Sequence, residues 1–331
     1  ISPCRSACPA GQRAQGYIAH IHNGDYEAAY RTIMLDNPFP AICGRICNHR
    51  CEDACNRAKL DEALDIRALK RYVTDKLYDE PYVAPEPSER IFDDKIAIIG
   101  AGPCGLTAAR TLCEEGYPVT VFEALPVAGG MLRVGVPEYR LPATTIEREV
   151  QQIIDLGIEL KLNSPVNDIE HLFDEGYKAV LVAVGAHEGI RLPIPGADLP
   201  GVYTNTSFLK DARLDQPPEL GKKTLVLGAG DVAMDCARTA VRLGPEVEVY
   251  YRRSKEEASA HPLEILHAEE EGVDFHFHVG PVGIVAAPDG RVGGVRFQKM
   301  RPGEPDREGR RRPEPIEGSE FTVACDLSLI H

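Results

Sequence analysis

The sequence has no apolar run long enough to cross a membrane, and its first residues lack the charged and apolar regions of a secretory signal. Positive charge is also scarce, since 37 lysines and arginines stand against 51 acidic residues, a formal net charge of -14. This charge opposes contact with nucleic acids and anionic membranes, so we expect neither as a partner. The lack of a membrane span and of a secretory signal leads us to expect a cytoplasmic protein. The run Arg310-Arg311-Arg312 is a local exception, which we interpret as a solvated hairpin or loop.

The sequence does not begin with methionine, and it ends in an apolar stretch at residues 321–330. We therefore expect further chain on both sides. The 331 residues themselves are enough for two or three domains, each with its own core.

Cysteine, in contrast, is abundant, with ten residues. Disulfides are not expected in a cytosolic chain, because thiols stay reduced there. Six cysteines precede residue 56 and indicate a metal site: Cys4, Cys8, Cys43, Cys47, Cys51 and Cys55. The other four have the spacing of ordinary small core residues: Cys104, Cys113, Cys236 and Cys325.

Two glycine-rich fingerprints lie 128 residues apart, each between a strand-like apolar run and a helix-like pattern. The first is Gly100-Ala-Gly102-Pro-Cys-Gly105, and the second is Gly228-Ala-Gly230-Asp-Val-Ala. Glycine permits the tight turn and the close approach of a pyrophosphate, which the N-terminus of the following helix attracts. Two such turns predict two bound dinucleotides, and we interpret one of them as a flavin.

The ends of the second strands distinguish the two sites. Glu123 lies 18 positions after Gly105, where an acidic residue accepts hydrogen bonds from a ribose. At this place the second unit has Arg252 and Arg253, and guanidinium groups form charge-assisted bonds with a 2'-phosphate. The sequence therefore favours NADP(H) over NAD(H). The alternative for Glu123 is that it is merely a polar residue at a strand end. The alternative for Arg252 and Arg253 is that they form a solvated pair without a ligand.

A proline-rich segment divides the chain into two patterns. Before it, apolar residues have helical spacing at 14–22, 26–35 and 66–77. After it, strands and helices alternate, which indicates parallel sheets covered on both faces. Residues 282–325 have the alternation of an antiparallel hairpin attached to the second unit.

The spacing of the early cysteines favours iron–sulfur clusters. Cys4-x3-Cys8-Pro matches the end of the bacterial ferredoxin run, so further ligands would lie upstream of the sequence. The other four recur at every fourth residue from Cys43, and the glycine, asparagine and acidic residues between them indicate turns around a cluster. Zinc is an alternative because His49 lies inside the block, although zinc sites usually have tighter cysteine pairs. Chance core cysteines are a second alternative.

The motifs together resemble the glutamate synthase small (beta) subunit family. This family includes the similar module of dihydropyrimidine dehydrogenase and the large subunit of NADH-dependent ferredoxin:NADP oxidoreductase. The likeness covers essentially the whole chain, in order, at residues 37–57, 100–106, 128–142, 183–186, 228–235 and 251–254.

The resemblance implies an α/β protein in which an N-terminal α-helical iron–sulfur domain precedes two Rossmann-like dinucleotide-binding domains, the NADP(H) domain being inserted in the FAD domain. The expected parts are a helical [4Fe-4S] domain, a linker, an FAD-binding domain, an NAD(P)H-binding domain and the start of a return to the FAD domain. Their bounds would be residues 1–80, 81–92, 93–215, 216–320 and 321–331.

The resemblance also implies which residues bind each cofactor. FAD would contact Gly100, Gly102, Pro103, Cys104, Gly105, Glu123, Gly130, Leu132, Arg133, Arg140 and Gly185. NADPH would contact Gly228, Gly230, Asp231, Val232, Arg252 and Arg253. One [4Fe-4S] cluster would be bound by Cys4 and Cys55 with ligands from upstream, and the other by Cys8, Cys47 and Cys51.

The sequence departs from this family in two places. Relatives often bind the second cluster through a Gln or Glu of the helix that aligns with residues 68–72. In this chain either Lys70 or Arg71 takes the place of that ligand, and neither can ligate iron as a cation. Cys43 is then a candidate for the fourth ligand, although its counterpart in the family is usually not a ligand. The family's final FAD segment would follow Ile330.

We therefore expect an electron-transfer oxidoreductase subunit that moves a hydride between NADPH and FAD and single electrons between FAD and the clusters. Its partner would be a catalytic or electron-accepting subunit, for which a ferredoxin-like protein is one candidate. The whole complex would be a glutamate synthase, a flavin-based bifurcating complex, or a larger dehydrogenase or hydrogenase. No acid–base residue is required. We interpret His187, His261 and His267 as surface or supporting groups. The alternative is a non-catalytic iron–sulfur and flavin scaffold.

Overall fold

The computed structural model describes residues 1–305 and 310–330. The chain forms two compact units. The first unit contains residues 1–133 and 138–185, and the second contains residues 134–137 and 186–331.

The first unit begins with a group of helices around a small apolar core. These are α1 (Pro3–Ala7), α2 (Ala14–His22), α3 (Tyr26–Met34), α4 (Pro40–Ile46), α5 (Arg50–Asp53) and α6 (Ile66–Tyr78), with a 3-10 helix at Asn56–Lys59. Tyr17 and Ile33 are fully buried between them. The Asp25 side chain accepts a hydrogen bond from the Ala28 amide and so begins α3. The helices predicted at 14–22, 26–35 and 66–77 are confirmed.

The rest of the first unit is a parallel sheet with helices. Residues 81–94 form neither helix nor strand, as the prolines of the predicted linker require. The elements that follow are β1 (Lys95–Ile99), α7 (Pro103–Glu114), β2 (Val119–Phe122), α8 (Met131–Val134), α9 (Ala143–Ile154), β3 (Glu159–Lys161), α10 (Glu170–Asp174) and β4 (Tyr177–Val182). The strand order is β3-β2-β1-β4, and all neighbours are parallel. The order reverses direction between β1 and β4, which is where such sheets bind ligands.

The second unit contains a five-stranded parallel sheet and an antiparallel sheet. Its elements are β5 (Val202–Thr204), α11 (Asn205–Arg213), β6 (Lys223–Leu227), α12 (Asp231–Leu243), β7 (Glu246–Tyr251), α13 (Pro262–Glu270), β8 (Asp274–Phe277), β9 (Val279–Ala286), β10 (Val292–Pro305), β11 (Arg311–Pro315), β12 (Phe321–Ala324) and β13 (Leu327–Ile330). The parallel sheet has the order β5-β13-β6-β7-β8. Strand β10 pairs with β9, β11 and β12 in antiparallel fashion. The predicted hairpin at 282–325 is therefore confirmed for its described residues.

The last strand is placed differently from the sequence expectation. Residues 321–331 were expected to begin a return to the first sheet, whereas β13 lies between β5 and β6 of the second sheet. Leu327 and Leu329 are buried on one face of this strand, and Ser328 is buried on the other. A strand that is buried on both faces belongs in the middle of a covered parallel sheet. Strand β5 and helix α11 also lie in the second unit, whereas the expected FAD-binding domain at residues 93–215 included them.

The Arg310-Arg311-Arg312 run belongs to a β-hairpin. Strand β11 begins at Arg311 and pairs with β10, and residues 306–309 lie outside the described residues. The interpretation as a hairpin is confirmed for the strand.

Candidate functional site

The first glycine turn joins β1 to α7 and is shaped by close backbone contacts. Gly100 has φ +108, and a Cβ there would collide with the carbonyl oxygen of Ala183, the residue that directly follows β4. A Cβ at Gly105 would collide with the carbonyl oxygen of Gly100. These two glycines are therefore required by the fold of the turn.

Gly102 is different, because no contact among the described residues requires it to be glycine. Its φ of -81 and ψ of -180 are extended backbone, and a Cβ would lie 3.8 Å from the Cα of Gly130, an ordinary contact. Gly102 directly precedes α7, whose first turn contains Pro103 and the exposed Cys104. A missing side chain at a helix N-terminus fits the close approach of a phosphate.

Glu123 supports the same turn from the end of β2. The side chain is 7% exposed, and its oxygens accept hydrogen bonds from the amides of Ala101 at 2.8 Å and Leu125 at 2.9 Å. A carboxylate has about four lone-pair sites, so two remain for ribose hydroxyls. The position is compatible with the predicted ribose role.

The remaining residues predicted for FAD surround this turn or follow the sheet edge. Gly130 has φ +54 and packs on Gly102, and Leu132 and Arg133 follow in α8. The side chain of Arg133 is 15% exposed, with Nη2 4.0 Å from Glu147 Oε1. The half-buried Arg140 lies before α9, and the exposed Gly185 follows β4 with φ +68.

The second glycine turn joins β6 to α12. Gly228 has φ +133, and its amide donates a hydrogen bond of 3.0 Å to the Tyr250 carbonyl. Gly230 precedes α12, and Asp231 Oδ1 accepts a hydrogen bond of 2.8 Å from the His261 amide. Val232 packs against the core of the second unit. Asp231 therefore holds the segment before α13 beside the turn.

The two arginines after β7 have different environments. Arg253 Nε donates a hydrogen bond of 3.0 Å to the carbonyl oxygen of Arg311. Arg252 is exposed, and the described residues give its guanidinium no ion pair or hydrogen bond. Of the two predicted phosphate ligands, Arg252 thus has the more available donors.

Five cysteines line one cavity of about 210 Å³ in the helical part of the first unit. They are Cys4, Cys8, Cys43, Cys47 and Cys51. Cys55 is not among the lining residues, although the sequence grouped it with Cys4. The chain turns around the cavity, because Cys47 is extended, His49 has φ +37, and α5 is only four residues long. The cysteines therefore do not lie on one helical face, as the sequence predicted.

The charged side chains that line this cavity are all basic. Arg50, Arg67 and Lys70 belong to the lining, and no aspartate or glutamate does, among the residues that the structure describes. Arg67 also donates a hydrogen bond of 2.9 Å to the Cys47 carbonyl. A thiol-rich, cationic cavity fits an anionic occupant such as a thiolate-bound cluster. Arg50 and Arg67 were not predicted from the sequence, although Arg50 directly precedes Cys51 and Arg67 lies three residues before Lys70 in the same helix.

The spacing of the thiols does not fit a single zinc ion. In the described part of the chain, one set of three possible ligand atoms lies within 4.8 Å of one another, at Glu248, Asp274 and His276, without a cysteine. A zinc ion with Zn–S bonds of about 2.3 Å would bring its sulfurs within roughly 4 Å of each other. Among the described residues, no three cysteine sulfurs lie this close together, so the thiols as placed do not form a tetrahedral zinc site. The set at Glu248 is itself balanced by Lys223 Nζ at 2.6 Å.

The thiols around the cavity differ in acidity. Burial raises the pKa of Cys43, and burial together with the charge of Glu52 raises the pKa of Cys51 to about 11. A hydrogen bond with the Leu64 backbone lowers the pKa of Cys55. Ligation of iron requires thiolates, so the buried thiols need a positive group beside them.

Two parallel sheets that each carry a glycine turn, with a thiol-lined cavity on adjacent helices, define a dinucleotide-dependent redox protein with a metal-cluster domain. Residues 94–301 match the pyridine nucleotide-disulphide oxidoreductase family, and residues 1–81 match the family described as dihydropyrimidine dehydrogenase domain II, 4Fe-4S cluster. The chain belongs to the pyridine nucleotide-disulphide oxidoreductase family and carries an N-terminal 4Fe-4S domain.

Several curated relatives align with nearly the whole chain. The chain is 42% identical over 354 residues to the NADP(+)-dependent formate dehydrogenase subunit beta of Moorella thermoacetica, with 98% of this chain and 50% of that protein covered. It is 38% identical to the NADPH-Fe(3+) oxidoreductase subunit beta of Geobacter sulfurreducens, covering 99% and 50%. It is 35% identical to the glutamate synthase [NADPH] small chain of Escherichia coli, covering 99% and 73%. The chain thus spans about half the length of the first two relatives.

Solved structures share the fold at low sequence identity. FprA of Mycobacterium tuberculosis in complex with NADPH has a TM-score of 0.60 at 21% identity, covering 72% of this chain and 70% of that one. Thioredoxin reductase of T. acidophilum has a TM-score of 0.52 at 16% identity, covering 72% and 77%.

These matches confirm the family expected from the sequence, with FAD, NADP(H) and 4Fe-4S clusters as cofactors and an oxidoreductase as the class of enzyme. The number of clusters and the residues that bind each cofactor remain predictions. Among the described residues, no helix combines the length and apolar character needed to cross a bilayer.

Proposed function

We propose that this chain is the NADPH-dependent module of a larger redox enzyme and exchanges electrons between NADPH and a partner subunit. The observation that carries this proposal is the combination, in one chain, of two dinucleotide turns and a cavity lined by five thiols. The chemistry that a bound FAD would supply is acceptance of a hydride from NADPH and release of single electrons to iron–sulfur clusters.

The FAD would be held at the first turn. Gly102 leaves room for its pyrophosphate at the N-terminus of α7, and Glu123 holds the turn and offers lone pairs to the ribose. The other proposed contacts are Gly100, Pro103, Cys104, Gly105, Gly130, Leu132, Arg133, Arg140 and Gly185.

The NADP(H) would be held at the second turn, with its pyrophosphate near Gly230 at the start of α12. Arg252 would bind the 2'-phosphate, since its guanidinium is exposed and has no partner in the described residues. Arg253 would support this segment through its bond to Arg311. Gly228, Asp231 and Val232 complete the proposed set.

The cavity would hold one cluster through the thiols of Cys8, Cys43, Cys47 and Cys51, which all line it. Cys43 would then supply the ligand that relatives take from the helix aligned with α6. Cys55 would bind a second cluster together with Cys4 and ligands from outside the sequence.

The protein's own residues would bind, orient and shield the cofactors. No general acid or base is part of this proposal. His261 Nδ1 accepts a hydrogen bond of 3.3 Å from the Leu263 amide and so begins α13, and His187 and His267 are exposed. These environments support the interpretation of the three histidines as surface or structural groups.

The partner would be a further subunit or a fused catalytic module. Two of the relatives are named beta subunits and one a small chain, and the chain spans only about half of the first two. A multi-subunit dehydrogenase, a bifurcating complex or a glutamate synthase would each suit this role, and we favour a multi-subunit or fused redox complex over a plain glutamate synthase.

Anaerobic stopped-flow mixing of the flavin-loaded full chain with NADPH and with NADH tests the proposal. We expect rapid loss of oxidised-flavin absorbance with NADPH and slower loss with NADH. A protein that holds FAD tightly, is bleached by dithionite and yet does not react with NADPH would instead be the non-catalytic scaffold.

A further inference from the structure

Lys70 lies in the cavity that contains the thiols. It belongs to helix α6, is 6% exposed and lines the cavity together with the five cysteines. The next residue, Arg71, points to solvent, where its Nε lies 3.2 Å from Asp75 Oδ2. Helix α6 thus presents one cation to the thiols and the adjacent cation to water.

Among the residues that the structure describes, the ammonium of Lys70 forms no hydrogen bond or ion pair. A charged group that is largely removed from bulk water is unfavourable without a counter-charge, so a mostly buried lysine in the wall of a cavity indicates an anionic occupant. The amide oxygen of Gln12, which lines the same cavity and is also without a partner, is neutral and cannot offset a full charge.

The missing counter-charge does not come from a carboxylate, because none lines the cavity in the part of the chain that the structure describes. The side chains able to become negative there are the thiols. Lys70 is the largest influence that opposes the effect of burial on the pKa of Cys43, and it also acts against the raised pKa of Cys51. Lys70, Cys43 and Cys51 line the same cavity, so the positive charge and these two thiols share one enclosed space.

We propose that Lys70 is the counter-charge of the cluster in this cavity and raises its reduction potential. The inference rests on the proposed cluster site. Reduction of a cluster adds one negative charge to a group that is already negative, and net charge and hydrogen bonds to sulfur set the potential of such clusters. A fixed positive charge beside Cys43 and Cys51 stabilises the reduced form more than the oxidised form. The residue that would carry a ligand in relatives here adjusts the potential instead.

The test is an EPR-monitored redox titration of the anaerobically purified full chain. We expect Lys70→Met to lower the midpoint potential of the cavity cluster, with a roughly tenfold smaller ratio of reduced to oxidised cluster at fixed potential, about 59 mV for one electron. Lys70→Arg, which keeps the charge, should keep the midpoint. Arg71→Met is the matched control, because it removes the neighbouring, solvent-facing cation and should not shift the midpoint.

An unchanged midpoint in a Lys70→Met protein with full iron and sulfide would overturn the proposal and leave the cluster site intact. If Lys70→Met loses the cluster, Lys70→Arg decides: retention of the cluster supports the charge role, and loss in both variants overturns it. Wild-type protein without iron and sulfide would instead refute the proposed function.

Discussion

The carboxylate of Glu149 caps helix α4 from outside, with Oε1 2.5 Å from the amide nitrogen of Ala41. Oε2 accepts a hydrogen bond of 3.1 Å from the Ile42 amide, and Oε1 accepts one of 3.2 Å from the Tyr78 hydroxyl. Helix α4 has no capping side chain of its own. Because α9 carries Glu149 and α4 carries Cys43, this fully buried contact joins a helix of the parallel-sheet region to the helices around the thiol-lined cavity within the first unit.

The first prediction concerns stability and pH. Burial raises the pKa of Glu149 to about 8, against the lowering effect of the Ala41 and Ile42 amides. Between its ordinary pKa and about 8, the folded state holds a proton that the unfolded state has released, so the free energy of unfolding falls as pH rises through this window. A rise in pKa from 4.5 to about 8 corresponds to a loss of about 5 kcal/mol in the free energy of unfolding across this window.

Thermal unfolding of wild type and Glu149→Gln between pH 5 and 9 measures this effect. The variant should lose much of the pH dependence, since glutamine does not titrate but still offers an oxygen to the amides. Glu147→Gln on the exposed face of α9 is the control and should behave as wild type. An identical pH slope in Glu149→Gln would contradict the prediction.

The second prediction separates glycines of the fold from a glycine of the ligand site. Gly105→Ala should lower the melting temperature of the flavin-free protein, because its Cβ meets the Gly100 carbonyl. Gly102→Ala should leave that temperature nearly unchanged, since the nearest atom is 3.8 Å away, while the affinity for FAD falls at least about tenfold. Calorimetry measures the melting temperature, and flavin titration measures the affinity. Unchanged FAD affinity in Gly102→Ala would contradict the proposed position of the FAD pyrophosphate at this turn.

The third prediction concerns the choice of nucleotide. Arg252→Gln should lower kcat/KM for NADPH roughly ten- to hundredfold, because a hydrogen bond to a charged group contributes about 1.5–3 kcal/mol. The value for NADH, which lacks the 2'-phosphate, should change little. Arg253→Gln should have the smaller effect on this ratio, since Arg253 already bonds the Arg311 carbonyl. Steady-state reduction of an artificial acceptor suffices, and equal losses for both nucleotides would exclude Arg252 as the phosphate ligand.

The fourth prediction concerns the metal content. Wild-type protein prepared without oxygen should contain iron and sulfide, and Cys51→Ser should lose the cavity cluster, because Cys51 lines the cavity. Cys55→Ser should retain that cluster's EPR signal, as its thiol lies outside the lining. Cys113→Ala on the buried face of α7 is the control for iron content. Loss of the cavity signal in Cys55→Ser would place Cys55 in the same cluster.

The sequence alone predicted much of this protein, because its signals are local. The turns at Gly100 and Gly228 follow from glycine spacing beside apolar strands, and three of the early helices follow from periodicity. Strand β13 was assigned to the wrong sheet, since strand pairing depends on contacts between distant segments. In the same way, the bond between Arg253 and Arg311 joins residues 58 positions apart and leaves Arg252 as the available donor.

The order of motifs determined the cofactors and the class of enzyme, because phosphate-binding turns and cysteine ligands are short stretches with fixed chemistry. Only the tertiary structure decided which thiols share a cavity, and that Lys70 faces them while Arg71 faces water. That choice depends on the rotation of α6 against its neighbouring helices. Burial and electrostatic balance arise from this packing, and no linear motif encodes them.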